Sequence, residues 1–328
     1  MTVNSHNVIG WKEDVYKSVA FYNDWFINYA PEAYKKTRSE TASSVAIALE
    51  VTNFLADISP AKIIEHPEIL PILRMSTVPP IARDRLTGLS QAPKSLVDSI
   101  DKHKRIPARM TKDMLDSGLE KISTTLQNML DTDIFAWIGT GRVPTQDEEN
   151  RASIIIADRL CGVVADPIIR NAQEQRQLAS VRQWLEVRGY KMVGKTDENN
   201  PRTMQPGTFS FRLNIPVILD GGLTVNIPVD AVIQPKNAKP GTMPLLMEAK
   251  SAGDFTNTNK RRKEEAVKFS QLKRTYGDDI KFFLFLCGYF DSGYLGYEAA
   301  EGIDWVWEHR IDDLSLFDLP AGDRKSVV

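Results

Sequence analysis

Between Trp11 and about Asp133 the apolar residues recur three and four positions apart, as in SETASSVAIALEVTNFLADI and TKDMLDSGLEKISTTLQNML, a spacing that predicts amphipathic helices. Proline-containing segments (ISPAK, EHPEILP, STVPPIA, QAPKS, RIPAR) cut this pattern into short pieces. The stretch GTGRVPTQDEENR then breaks the periodicity. A helix fits ENRASIIIADRLCGVVA. Another is expected to start within ADPIIRNAQEQRQLASVRQWLEVRGY, where Asp166 suits a cap, Pro167 suits the first helical position and Gly189 closes the turn.

After Gly189 the period shifts from 3.6 toward 2. YKMV, GTFSFRLNIPVIL, LTVNIPVDAVI, MPLLMEAK, IKFFLFLCGYF and GIDWVWEHRI read as strands, with one helix, RRKEEAVKFSQLKRTYG, among them. The order predicts an α/β fold in which a mixed sheet is flanked by helices, with a large helical domain ahead of it. The expected domains are residues 1–140, helical, and residues 150–328, carrying the sheet. No internal repeat, low-complexity tract or glycine-rich phosphate loop interrupts this plan.

Composition narrows the setting. The 328 residues hold 41 Lys and Arg against 43 Asp and Glu, a formal charge of -2, so any grip on a polyanion has to be local. The two cysteines, Cys161 and Cys287, sit in apolar surroundings, which argues against a disulfide framework or a thiolate zinc site. The opening MTVNSHNVIGWKED lacks the basic and apolar regions of a leader, and no apolar run approaches the ~18 to 20 residues that span a bilayer. The expectation is a soluble cytoplasmic protein with no membrane partner.

Candidate chemistry lies where two apolar runs end in charge. If LTVNIPVDAVI and MPLLMEAK are neighbouring strands, Asp230 and Glu248 project toward one point. Glu248 and Lys250, two residues apart, share a face that Ala249 does not. Two close carboxylates repel unless a cation or a shared proton intervenes. Mg2+ suits such a pair, because it is held by one or two carboxylates together with phosphate oxygens and water. Lys250 can then orient the attacking water, help deprotonate it, or balance charge in the transition state. An Asp and an ExK are short, and each occurs often on ordinary half-exposed strands.

The arrangement resembles the PD-(D/E)xK nuclease superfamily, and the wider text resembles the XamI-type restriction endonucleases. That likeness runs from WKEDVYKSVAFYNDWFINYAPEAY through RLCGVVADPIIRNAQEQRQL to GIDWVWEHRIDDL. It implies a restriction-endonuclease-like fold, with Asp230 and Glu248 as Mg2+ ligands and Lys250 as the catalytic lysine. Hydrolysis would be direct and leave a 5'-phosphate. Val229 separates Pro228 from Asp230, so the literal Pro-Asp pair is absent. The resemblance further points to a Glu on the helix before the sheet as a metal or water ligand. Glu174 is the candidate, with a solvated helix carboxylate as its other reading and Glu186 as a weaker rival. It also points to Gln271, one turn from Lys268, as a residue reaching the site from the following helix.

Basic groups offer phosphate contacts. Lys260, Arg261, Arg262 and Lys263 open the helix after the motif, partly offset by Glu264 and Glu265. In the helical half, Arg74, Arg83 and Arg85 form one stretch, and Lys102, Lys104, Arg105 and Arg109 another. Each of these is either a phosphate contact or a solvated helix face. The four histidines, at 6, 66, 103 and 309, show no metal-binding spacing, and Trp305 and Trp307 read first as core. The reading is a type II restriction endonuclease acting on double-stranded DNA as a homodimer, since two cuts need two sites. A modification methyltransferase is then implied in the same system. The alternatives are a structure-specific repair or recombination nuclease and a non-catalytic DNA-binding protein.

Overall fold

The computed structural model describes residues 3–194, 200–219, 221–254 and 258–319, and for 258–262 the backbone alone. The helices are α1 (Val8–Val51), α2 (Pro60–Glu65), α3 (Leu70–Met75), α4 (Arg83–Ser90), α5 (Lys94–His103), α6 (Lys112–Asn128), α7 (Gln146–Val187), α8 (Thr258–Tyr276) and α9 (Ser292–Ala300). The strands are β1 (Lys191–Met192), β2 (Thr208–Ile218), β3 (Thr224–Gln234), β4 (Leu245–Ala252), β5 (Phe282–Gly288) and β6 (Asp304–Trp307). They form one mixed sheet in sequence order, with β1 and β2 parallel, β2, β3 and β4 antiparallel, and β4, β5 and β6 parallel. The fold is the α/β, restriction-endonuclease-like arrangement, with a large helical region in the N-terminal half.

Contacts group the chain into two compact units, Ala30–Ile169 and a second made of Met1–Tyr29 with Arg170–Val328. This grouping differs from a simple split at residues 140 to 150, because the first residues belong with the sheet. The Asn4 and Ser5 amides donate to the Asp304 carboxylate at 2.9 and 3.0 Å, and the Trp11 and Trp305 rings lie 5.6 Å apart. No local pattern links residue 4 to residue 304, so the sequence could not show it.

In the helical unit, Leu49, Leu70, Leu73, Leu96, Ile122, Leu126 and Trp137 share one apolar core. The two helices expected between residues 149 and 189 are a single one, α7, with Pro167 inside it. Proline removes one helical hydrogen bond and leaves the carbonyl four residues back without its donor. Here Val163 and Pro167 are both exposed, so water can satisfy that carbonyl and the helix continues.

The sheet unit is three-layered. On one face Leu178, Val181, Trp184 and Leu185 of α7 pack on Ala231, Ile233, Leu245 and Met247. On the other, Phe269 and Leu272 of α8, Tyr294 and Leu295 of α9, and Trp11 pack on Val232, Leu246, Leu284 and Trp305. The helix α9 was not expected from the sequence. Gly293 and Gly296 weaken its propensity, yet Asp291 caps it by accepting from the Tyr294 amide at 2.8 Å. Parallel β5 and β6 require such a crossover.

Candidate active site

Strand β4 alternates strictly. Leu245 and Met247 face α7 and Leu246 faces α8, so Glu248 and Lys250 continue the α8 side while Ala249 stays on the α7 side. The β3 and β4 ladder ends at Ala231 and Met247, one residue short of Asp230 and Glu248. The strands part there, and Asp230 Oδ2 accepts from the Ala249 amide at 2.9 Å, taking over a backbone donor that β3 no longer serves.

The paired strands β2 and β3 turn over at the same level. Phe209 and Phe211 lie on the α7 side, but Leu213, Ile215 and Val217 lie on the α8 side. Across the pair, Ala231 and Ile233 face α7 and Val229 faces α8. The register passes from Phe211 opposite Ala231 to Leu213 opposite Val229, leaving Arg212 and Asp230 at the crossover. Arg212 adopts a left-handed backbone there, φ 53°, a conformation costly for a residue with a Cβ and concentrated at functional sites.

Around this point charges interlock. Lys250 Nζ lies 3.3 Å from Glu248 Oε2 and 3.3 Å from Glu265 Oε1. Lys268 Nζ donates to Glu248 Oε1 and to the Pro228 carbonyl, both at 2.5 Å. Glu248 is 4 % exposed and Glu265 2 %. Behind β4, the buried Gln177 of α7 donates to the Phe285 carbonyl at 3.2 Å and the Lys250 carbonyl at 3.4 Å, tying β4 to β5 beneath the lysine.

Burial first, then the charge of Glu248, push the Asp230 carboxyl up to about 6, against the Ala249 amide and Lys250, which pull it down. Burial alone would lower Lys250, but the negative charges of Glu248, Glu265 and Asp230 outweigh it and hold the ammonium above the usual lysine value. The half-buried Asp230 and the buried Glu248, which repel each other, form an oxygen-rich anionic pair of the kind that suits a hard divalent cation. Among the described residues no group of three His, Cys, Asp or Glu is placed to hold a metal. An all-oxygen donor pair of this kind is the chemistry of a hard cation whose remaining positions go to water and phosphate oxygens.

The other sequence candidates separate. Glu174 lies near enough to raise Asp230, but its carboxylate is held by Arg212 at 2.7 and 3.1 Å. Glu186 is exposed and bonds Arg182 at 2.7 Å. Lys268 reaches the site, whereas among the described residues no hydrogen bond joins the half-buried Gln271 side chain to Asp230, Glu248 or Lys250. The side chains of Lys260, Arg261 and Arg262 lie outside the described residues, and Lys263 is exposed. Glu265, which in sequence only offsets that basic run, is turned inward onto Lys250. The signal was available in its spacing, three residues before Lys268 on one helix face.

In the helical unit Arg74 is 4 % exposed and donates to Asp101 at 2.7 Å and the Ile81 carbonyl at 2.5 Å, so it braces the core where the sequence placed a surface contact. Arg83 pairs with Asp98 at 2.9 Å, Lys102 lies 3.5 Å from Asp98, and Lys104 donates to the Asp101 carbonyl at 2.5 Å. Arg85, Arg105 and Arg109 are exposed. His309 faces Asp14 at 3.6 Å, and Trp305 and Trp307 are fully buried. No helix among the described residues is long and apolar enough to cross a membrane.

The mixed sheet flanked by helices, together with the family and relative that the chain matches, supports a PD-(D/E)xK-type nuclease acting on DNA. Residues 53–307 match the XamI restriction endonuclease family, and the chain belongs to that family. It is 53% identical over 312 residues to the type II restriction enzyme SalI of Streptomyces albus G, covering 95% of this chain and 98% of that one. No solved structure matches the chain.

Proposed function

We propose that the protein is a Mg2+-dependent type II restriction endonuclease that hydrolyses phosphodiester bonds of double-stranded DNA at a specific sequence. The observation that carries this reading is the convergence of Asp230, Glu248 and Lys250 where β3 and β4 part. The full-length likeness to a type II restriction enzyme supports it.

In this reading Asp230 and Glu248 hold the cation, which when bound would polarise the scissile phosphate and favour ionisation of the attacking water. Lys250, kept as an ammonium by the carboxylates around it, orients that water and offsets charge on the phosphate oxygens. Glu174 contributes field at Asp230, since any closer role would require it to leave Arg212. The exposed Arg85, Arg105 and Arg109, with Lys263 and its neighbours Lys260, Arg261 and Arg262, supply phosphate contacts for a nearly neutral chain. One active-site constellation per chain calls for a homodimer to cut both strands. A cytoplasmic enzyme of this kind also needs a modification methyltransferase to protect host DNA.

Digestion of a sequenced plasmid by the wild type and by Lys250→Ala, each with Mg2+ or EDTA, tests the reading. Discrete fragments that require both Mg2+ and Lys250 are expected. Cutting by the variant at the wild-type rate, or an intact plasmid at every enzyme concentration, would refute it. Nicking confined to branched DNA would replace it with a structure-specific nuclease.

A further inference from the structure

Helix α8 presents Glu265 and Lys268, three residues apart, to strand β4, which presents Glu248 and Lys250, two residues apart. The pairing is crossed by charge: Lys268 meets Glu248, and Glu265 meets Lys250. Phe269 and Leu272, buried on the same side of α8, fix the helix against the sheet. Tyr294 of α9 donates its hydroxyl to Glu265 Oε2 at 3.2 Å, so the carboxylate is held from behind.

Glu265 is buried more deeply than Glu248, and burial raises its carboxyl against the pull of Lys250. Its Oε1 stands 3.3 Å from Lys250 Nζ, at ion-pair distance. Burying a carboxylate is costly unless a partner offsets it, and here the partner is the lysine of the Glu-x-Lys motif. Lys250 has only two carboxylates at ion-pair distance among the described residues. One of them, Glu248, is the oxygen donor that the proposed reading commits to a cation. Once that happens, its hold on the ammonium weakens, and a lysine side chain on four flexible carbons has no stiffness of its own.

We propose that Glu265 is the positioning residue for Lys250, holding the ammonium at the site, with Tyr294 as its support, while Glu248 is engaged elsewhere. The inference rests on the reading of Asp230, Glu248 and Lys250 as a nuclease site. It gives α8 a role in catalysis: the helix carries the second anchor of the lysine as well as structural contacts. Among the described residues no ion pair or hydrogen bond joins Glu265 directly to Asp230 or Glu248; they share Lys250, so replacing Glu265 acts on the lysine first.

The test compares Glu265→Gln, Tyr294→Phe and Lys250→Ala with the wild type under saturating Mg2+, alongside DNA binding in EDTA and thermal melting. Glu265→Gln is expected to lower kcat by ~10²-fold, the scale of a misplaced catalytic group. KM for DNA and the Mg2+ half-saturation should stay within about twofold, as for an interaction expressed only in the transition state. Tyr294→Phe retains the carboxylate but loses its support, and kcat should fall by a smaller factor with KM again unmoved. If Glu265→Gln does not fold, Tyr294→Phe decides alone. Wild-type kcat in the folded variants, or losses that follow the unfolded fraction or weakened DNA binding, would overturn the inference while leaving a Lys250-dependent nuclease standing. Wild-type cutting by Lys250→Ala would instead remove the underlying reading.

Discussion

Asp230 accepts the Ala249 amide at 2.9 Å in the first position beyond the paired part of β3 and β4, so a single carboxylate closes the ladder and faces Glu248. That double duty separates two effects of mutation. Asp230→Asn keeps an oxygen acceptor for the amide and removes the charge. The variant should fold, and DNA cleavage should fall by at least ~10³-fold, as expected when an electrostatic element of the site is lost. Plasmid digestion and thermal melting of the same preparation check both halves.

The raised Asp230 carboxyl also predicts a pH profile in EDTA. An unfolded Asp releases its proton near 3.8, whereas the folded one keeps it to about 6. Between those values the folded state binds more protons, so stability falls as pH rises and levels off above about pH 6. The total is at most about 3 kcal/mol, from the size of the shift. Denaturant melts of wild type and Asp230→Asn from pH 3.5 to 7, differenced, should show this decline. A flat difference would mean that the carboxyl titrates normally.

Lys268→Met removes the ammonium that bridges Glu248 and the Pro228 carbonyl. Without cation, a buried Glu248 left with Lys250 alone should destabilise the protein by ~1 to 3 kcal/mol. Mg2+ should restore part of that loss, and so raise the melting temperature of the variant more than that of the wild type. Equal Mg2+ shifts in both proteins would argue against Glu248 as a cation ligand.

At Arg212 the side chain and the backbone can be dissected. Arg212→Gly loses the Glu174 pair but accepts the left-handed φ of 53° without strain, while Arg212→Ala loses the pair and keeps the strain. The alanine variant should be less stable than the glycine variant by ~1 kcal/mol. Denaturant unfolding measures the difference, and the opposite order would mean that chain entropy outweighs the strain.

Two arginines of the helical unit should behave differently. Arg74→Ala leaves Asp101 without its buried partner and should cost ~3 to 5 kcal/mol. Arg105→Ala should leave melting unchanged and, if the residue meets a phosphate, reduce the slope of log affinity against log salt by about 1. Salt titrations of DNA binding decide the second point.

Much of this protein is written locally. The change from a 3.6-residue to a 2-residue period separates the helical segments from the strands, and alternation in MPLLMEAK places Glu248 and Lys250 on one face whatever lies around them. The break at Pro167 failed because a proline's cost depends on whether water reaches the orphaned carbonyl, which is a property of the surface. In β2 the apolar residues stay on odd positions from Phe209 to Val217, so the sequence reads as one continuous face, yet the strand turns over at Arg212. Only the tertiary structure decided that turn. It also set the parting of β3 from β4, which frees the Ala249 amide for Asp230, and the crossed meeting of Glu265 and Lys268 with Lys250 and Glu248. Periodicity along a chain fixes which way a side chain points within its own element, but the charges that come to share one buried volume are fixed by the packing of elements distant in sequence.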